Sequence, residues 1–265
     1  MSRIHPTAIV DPKAELHESV EVGPFCTVGA DVVVGAGSRL VSHVVLDGPT
    51  VIGERNTIYP FASVGLAPQD KKYAGEPTRL EIGDDNVIRE SATLHRGTAS
   101  GAGVTRIGSR ILFMAYAHVA HDCVVEDDVI MANAATLAGH VSVGRFAILG
   151  GLAAVHQFTR IGAHAMIGGC SCVLQDVAPY AIGHGNPFSV SSVNVEGLRR
   201  RGFSRAAIHA IRDAYRTVFR ASLTLKDALA ELEARAGSRE TPEDVRAALV
   251  PLIEFLRLPG RGLAR

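Results

Sequence analysis

Aliphatic side chains recur at every sixth position along most of this chain. From Ile4 the series runs through Val10, Leu16, Val22, Val28, Val34, Leu40, Leu46, Ile52 and Ile58 to Val64. After an interruption it resumes as Ile107, Phe113, Val119, Val125, Met131, Leu137, Val143, Leu149, Val155, Ile161, Ile167 and Val173, with Ile82, Ile88 and Leu94 as a short middle series. At 47% hydrophobic residues overall, twelve such matches in a row arise by chance about one time in ten thousand. The residue four places on is small or β-branched (Ala117, Cys123, Val129, Ala135, Val141), and a turn-former often follows the aliphatic one, as in Val22-Gly23 and Ile161-Gly162. A strict six does not fit the 3.6-residue helix. It fits a short strand, a turn and another short strand, each face sending one aliphatic side chain inward. Three faces close a triangular coil of 18 residues. About nine coils, stacked as parallel strands at about 4.8 Å per layer, make a prism roughly 43 Å tall.

The phase breaks over residues 65–81 and 98–106, which predicts loops projecting from one face of a solenoid. From residue 191 the period becomes helical. Ser204 can N-cap a run through Ile208, Ile211, Tyr215 and Val218, and Thr224 with Asp227 resembles a capping box. Thr241-Pro242-Glu243-Asp244 opens a further helix with proline at its first position, and Gly237, Pro259 and Gly260 punctuate. Residues 1–190 thus read as a solenoid and 191–265 as a small helical domain that shields the solenoid end from edge-to-edge pairing.

The remaining composition narrows the function classes. Disorder is excluded by high aliphatic content and a formal charge of zero, and no global basic surface suits nucleic acid. Charge is unevenly placed: residues 1–190 carry 13 Lys/Arg against 18 Asp/Glu, and residues 191–265 carry 14 against 9. The amino terminus has no apolar targeting segment, and no stretch is long enough for a membrane span. Cys26, Cys123, Cys170 and Cys172 lack zinc-site spacing and read as small buried residues in a reducing cytoplasm.

Eleven histidines are many for 265 residues, and His118, His121, His140 and His156 fall within three consecutive coils together with Asp122. An 18-residue coil places His121 over Gly139, Asp122 over His140, and Gln157 beyond Gly139. Such a cluster suits acyl transfer. An imidazole takes the proton of a hydroxyl, a carboxylate orients the ring, and a glycine lets an acyl oxygen reach a backbone N–H. No side-chain nucleophile is evident, so the substrate hydroxyl attacks directly. The base has to be neutral, so the rate is expected to rise with pH through an apparent pKa near or above about 6.5. His17, His43, His164 and His209 read as solvated turn residues. Gln69, Asp70, Lys71, Lys72 and Arg79 in the first insertion suit a sugar or a phosphate. The run Arg199-Arg200-Arg201 suits phosphate or an acidic protein.

Several strings carry a closer resemblance. They are Ile4-His5-Pro6-Thr7-Ala8, Gln69-Asp70-Lys71-Lys72-Tyr73-Ala74-Gly75-Glu76-Pro77-Thr78, His95-Arg96-Gly97-Thr98, Ala117-His118-Val119-Ala120-His121-Asp122-Cys123, Ala138-Gly139-His140-Val141, Val155-His156-Gln157-Phe158 and Asn194-Val195-Glu196-Gly197-Leu198. Over nearly its whole length the chain resembles the UDP-N-acetylglucosamine O-acyltransferases that begin lipid A biosynthesis.

The resemblance implies a mainly β fold with α: a single-stranded left-handed parallel β-helix followed by the small helical domain. It implies a homotrimer with active sites between subunits. It further implies transfer of a 3-hydroxyacyl group from acyl carrier protein to the glucosamine 3-hydroxyl of UDP-N-acetylglucosamine, in the cytoplasm. No cofactor or metal is called for, because the phosphopantetheine arm of the carrier holds the donor. By match, His121 resembles the general base, Asp122 its partner and Gly139 the oxyanion donor. Gln69, Asp70, Lys72, His95, His118, His140, His156 and Gln157 resemble contacts to sugar, diphosphate or acyl chain, and Asn194, Glu196, Arg200 and Arg201 resemble the nucleotide and carrier end. Gly169 stands at the position of an acyl-length ruler, its missing side chain leaving room for a longer chain. Pro187 after Gly185-Asn186 replaces a common histidine, and Cys172 a common glycine.

Two other readings are carried forward. A γ-carbonic-anhydrase-like zinc hydrolyase would use His118, His121 and His140 as ligands. A non-catalytic solenoid would only dock an acidic carrier protein through residues 191–265.

Overall fold

The computed structural model describes residues 3–219, 221, 223–258 and 260–265; the expected break at Pro259 lies outside the described residues. The first coil consists of the strands Arg3–Ile4, Ile9–Val10 and Glu15–Leu16, one on each face. Each pairs in parallel with the residues 18 further on, as Ile4↔Val22, Val10↔Val28 and Leu16↔Val34. Repetition builds a first sheet of eleven strands, a second of nine and a third of eight, a triangular parallel β-helix. Only the last two strands of the first sheet, Ala181–His184 and Ser189–Val193, pair antiparallel.

The six-residue period follows from the cross-section. Each turn contributes two inward side chains, an aliphatic one and a small one. Val22, Cys26, Val28, Val32 and Val34 are at most 1% exposed, whereas Ile4, in the outermost layer, keeps 43%. From the second layer on, the residue before the small one commonly turns the corner in the left-handed region. Among the described residues nineteen non-glycine ones do so, including Phe25 (φ 59), Asp122 (φ 59) and His140 (φ 62). That conformation costs an L-residue on the order of 1–2 kcal/mol, offset here by the ladder and by stacking along each corner.

Corner side chains in successive layers stack on one another. Between the first and second sheets, the first corner, His43 lies between Phe25 and Phe61 (4.9 and 5.2 Å). Between the third and first sheets, the third corner, Arg55 clasps Asp85 (2.8 Å) and Arg110 clasps Asp128 (3.0 Å). Further along that corner the column becomes aromatic, with His164 between Phe146 and Tyr180 (4.9 and 5.7 Å). His164 is therefore not the solvated turn residue expected from sequence. Burial, then the nearby Arg201 and Arg145, push its imidazole down to about 4.

Both phase breaks are insertions at the second corner, between the second and third sheets. The pairing offset grows from 18 to 30 at Thr57↔Val87 and to 25 at Thr93↔His118. The inserted segments are 67–78, shorter than the expected 65–81 at both ends, and 96–103, which begins two residues before and ends three residues before the expected 98–106. The flanking strands Ser63–Leu66, Arg79–Ile82 and Val104–Ile107 each extend to four residues. On the outer face of the first sheet, Val87, Leu112, Ile130, Ile148, Met166 and Ile182 align in one apolar column.

Four helices follow: α1 (Val195–Arg200), α2 (Arg205–Phe219), α3 (Leu225–Gly237) and α4 (Glu243–Arg257). Ser204 Oγ accepts from the Ala207 N–H (3.0 Å) at the start of α2, and Thr224 Oγ1 from the Asp227 N–H (3.2 Å) at the start of α3. Pro242 stands at the N-cap of α4 rather than at its first helical position. The buried hydroxyls of Tyr180 and Tyr215 tie helices to coil, donating to the Ala248 and Ala178 carbonyls (2.9 and 3.2 Å). This covers the last layer as expected. Cys26 and Cys123 are buried, but Cys170 is exposed at the first corner.

His164 and His95 are each held near 4 when folded, against about 6.5 when unfolded. The unfolded chain therefore binds more protons between those values, and stability falls as pH drops from about 6.5 towards 4. His164→Phe keeps the stack, since Phe146 holds the same left-handed turn (φ 62). It is expected to lessen that acid loss, read as the urea midpoint against pH; identical slopes in both proteins would contradict it.

Candidate active site

Coil register alone sets the core of the site. His118–Val119 is a strand of the second sheet, and His121 and Asp122 turn the second corner after it. Thr136–Leu137 lies one layer on, paired as His118↔Thr136, so Gly139 and His140 lie over His121 and Asp122. A Cβ built on Gly139 would come within 2.5 Å of His121 Cε1 and 2.7 Å of Nε2. The imidazole thus rests on the bare peptide of Gly139, with Nε2 over it. The Gly139 N–H donates to no group of the chain, like the N–H at the equivalent turn positions Ala115, Asn133 and Gln157. This turn position stands outside the ladder. At the third corner side chains take up its N–H, as Asp127 Oδ1 does for Ser109 (2.9 Å). At Gly139 it stays unbonded among the described residues and, with no side chain above it, open to a ligand beside His121.

His121 Nδ1 is 2.8 Å from Asp122 Oδ2, which fixes the ring so that Nε2 is the free nitrogen. The Asp122 side chain is fully buried. Burial raises its carboxyl, but hydrogen bonds from Thr98 and His121 outweigh that and hold it below the ordinary carboxylate value. His140 lies edge-on to His121, centroids 5.1 Å apart, and stacks on Phe158 at 4.5 Å. Burial pushes the His140 imidazole down and its neighbour His121 adds to this, against the charges of Asp122 and Asp70. The first insertion therefore faces the same site. His118 Nδ1 is 2.7 Å from Thr93 Oγ1, and its ring meets His95 edge-on. His95 is buried and pushed down to about 4 by burial, then by His118 and His121. Burial thus favours the neutral form of the rings around His121, while His121 and His140 keep 17% and 23% side-chain exposure, enough to meet a substrate.

Of the residues singled out from sequence, Asp70, His95, His118, His121, Asp122, Gly139, His140, His156 and Gln157 gather at the second corner or the adjoining sheet. Gln69 and Lys72 are exposed on the first insertion beside Asp70. Gly169 lies at the first corner, across the second sheet from His121. Asn194 caps α1 and donates to the His164 carbonyl (3.0 Å) near the third corner. Glu196 pairs with Arg200 (3.0 Å), and the Arg201 guanidinium lies 4.1 Å over the Phe146 ring. One chain does not bring these five to His121.

The zinc set expected from His118, His121 and His140 does not form. His118 is turned to Thr93, and the groups that gather are His121, Asp122 and His140. There the Asp122 oxygens are already bound by Thr98 and His121. Sequence reasoning assigned no role to Thr98 or Thr105, which hold Asp122 through its side chain and its N–H.

A six-residue-turn solenoid carrying a His–Asp dyad over a free peptide N–H defines a hexapeptide-repeat acyltransferase. Residues 176–264 match the family model of UDP-N-acetylglucosamine O-acyltransferase domain 2. The chain is 46% identical to UDP-N-acetylglucosamine O-acyltransferase (LpxA) of Moraxella catarrhalis RH4, covering 99% of both chains with a TM-score of 0.94. It is 45% identical to LpxA of Acinetobacter baumannii (99% of both, TM-score 0.93). With the UDP-N-acetylglucosamine acyltransferase of Francisella novicida it shares 36% identity over 99% of this chain and 94% of that one, TM-score 0.94. The chain belongs to the UDP-N-acetylglucosamine O-acyltransferase family and is an acyltransferase.

Any side chain at position 139 meets the His121 ring. Gly139→Ala keeps the peptide N–H but pushes the His121 ring off it. It is expected to fold with an unchanged circular dichroism spectrum and to lose turnover by about 10²-fold, the cost of a reacting group misplaced by about 1 Å. Turnover within a few-fold of the parent would show that the close approach is dispensable.

Proposed function

We propose that this enzyme moves a 3-hydroxyacyl group from an acyl carrier protein thioester to the glucosamine 3-hydroxyl of UDP-N-acetylglucosamine, the first step of lipid A biosynthesis. His121 Nε2 takes the hydroxyl proton as the oxygen attacks the thioester carbon. The Gly139 N–H receives the developing oxyanion, and Asp122 steadies the imidazolium. Collapse breaks the carbon–sulfur bond, and the same imidazolium protonates the departing thiolate. The observation that carries this reading is the His121 ring seated on the free Gly139 peptide with Asp122 at its other nitrogen. No cofactor enters.

Asp70, Lys72 and Gln69 from the insertion, with His95, His118, His140, His156 and Gln157, contact sugar, diphosphate and acyl chain. Asn194, Glu196, Arg200 and Arg201 serve the nucleotide and carrier end, where residues 191–265 are net positive. Gly169 beside Gly151 leaves a trough for a long acyl chain. The four cysteines are free thiols, as suits a cytoplasmic enzyme; among the described residues, no helix is long and apolar enough to cross a membrane.

The site is completed in a homotrimer. What supports this is the apolar column on the outer face of the first sheet, continuous with Tyr116 and Leu152, 67% and 66% exposed at the first corner. A solvated face has no use for that column.

His121→Ala is expected to keep the fold and assembly and to lower kcat by about 10²–10⁴-fold with acyl carrier donor and UDP-N-acetylglucosamine; near-parental turnover would remove the base. Ile130→Lys sits in the middle of the apolar column. It is expected to yield a folded monomer by light scattering with little activity, and an unchanged mass would place the subunit contact elsewhere.

A further inference from the structure

We propose that the second insertion is a cap over the Asp122 carboxylate, and that Thr98 is a positioning residue setting how strongly Asp122 holds the His121 ring. The inference rests on the reading of His121 as the base. Thr98 Oγ1 donates to Asp122 Oδ2 at 2.6 Å, and the Thr98 N–H approaches both carboxylate oxygens at 3.1 and 3.2 Å. Gly101 closes the cap from above. A Cβ built there would lie 2.4 Å from Asp122 Cγ and 2.5 Å from each oxygen, so the insertion's backbone packs directly on the carboxylate. Thr105 Oγ1 accepts from the Asp122 N–H (2.8 Å) and fixes the turn beneath. Thr98 is itself only 3% exposed.

The uncapped layers of the same corner show what the insertion changes. Phe158, two layers on, is 50% exposed, whereas Asp122 is sealed. Sealing a carboxylate costs free energy unless donors replace the lost water, and the cap supplies them. Oδ2 then serves the Thr98 Oγ1–H and N–H and the His121 Nδ1–H. While Thr98 is bonded, less of the negative charge is directed at the imidazole. Without it, Asp122 draws harder on the Nδ1–H, the protonated ring is favoured, and the base becomes available only at higher pH. His121 is also faced by His140 from the next layer and by His95 and His118 along the second sheet, with Asp70 approaching His140 from the first insertion. None of these is touched by a change at Thr98.

The test compares the full-length parent with Thr98→Val and Thr98→Ser, with Thr98→Ala as a smaller replacement should valine not fold. Two readouts are taken: the acid limb of kcat/KM against pH, and the titration of the His121 ring by NMR in the free protein. Thr98→Val is expected to move both midpoints up by about one pH unit. Thr98→Ser, which keeps the hydroxyl, is expected to stay within about 0.3 unit of the parent. An NMR midpoint unmoved in Thr98→Val or Thr98→Ala overturns the proposal, whatever happens to total activity, and so does a serine variant that shifts as far as valine. An NMR midpoint that moves while the kinetic limb stays in place supports the cap and instead removes His121 as the base.

Discussion

The ladder of parallel hydrogen bonds between successive coils constrains everything else in this molecule. It fixes an offset of 18 residues through most of the coil, as at His118↔Thr136 and Thr136↔Ala154, shortening to 16 only in the last layer, at Met166↔Ile182. That offset decides which side chain rests on which peptide. His121 lies over Gly139 because the ladder admits no other neighbour, and the Gly139 N–H is free because its turn position never joins the ladder. The ring and the donor of the proposed catalytic pair are thus supplied by two consecutive layers of a repeating frame. Precision comes from the frame and selectivity from a few residues placed in it.

The frame alone gives an open corner, and the two insertions make it a site. Both leave from the second corner, where each displaces one loop of backbone and pairing resumes with offsets of 30 and 25, at the cost of one register shift between Val64 and Leu66 beside the first. The first brings Asp70 towards His140, and the second seals Asp122. Burial keeps His95 neutral and favours the neutral form of His118. The Asp122 charge is then the nearest one to act on His121.

Much of this was legible in the sequence, and the reasons differ by element. The six-residue period is a one-dimensional signal of a three-sided cross-section, so the coil and the pairs 121/139 and 122/140 follow from arithmetic. The arithmetic fails where the phase breaks. Thr98 and Gly101 sit inside an insertion, so no multiple of 18 relates them to Asp122, and their contact with it is visible only in three dimensions. His164 and His43 occupy the same kind of turn, yet one is half-buried in an aromatic column and the other exposed. The difference is set by Phe203 and the helical segment, which have no fixed spacing from the coil. The outward column Leu112, Ile130, Ile148 and Met166 does repeat every 18 residues, but each member precedes an inward apolar residue and merges into the stronger period.

A prism with a rigid triangular section also bears on the assembly proposed above. The first and second corners lie at opposite edges of the second sheet, and the ladder that fixes them prevents either from bending towards the other. Gly169 at the first corner therefore has no route to His121 within its own subunit, and Asn194 and Glu196, beyond the third corner, have none either. If residues at those positions serve the reaction, they serve it on a neighbouring copy. The apolar column on the first sheet, adjoining the first corner, is the surface that would set such a copy in place. The same rigidity that seats an imidazole on one peptide keeps the first and third corners away from it, and that separation is the ground for the proposed sharing of sites between subunits.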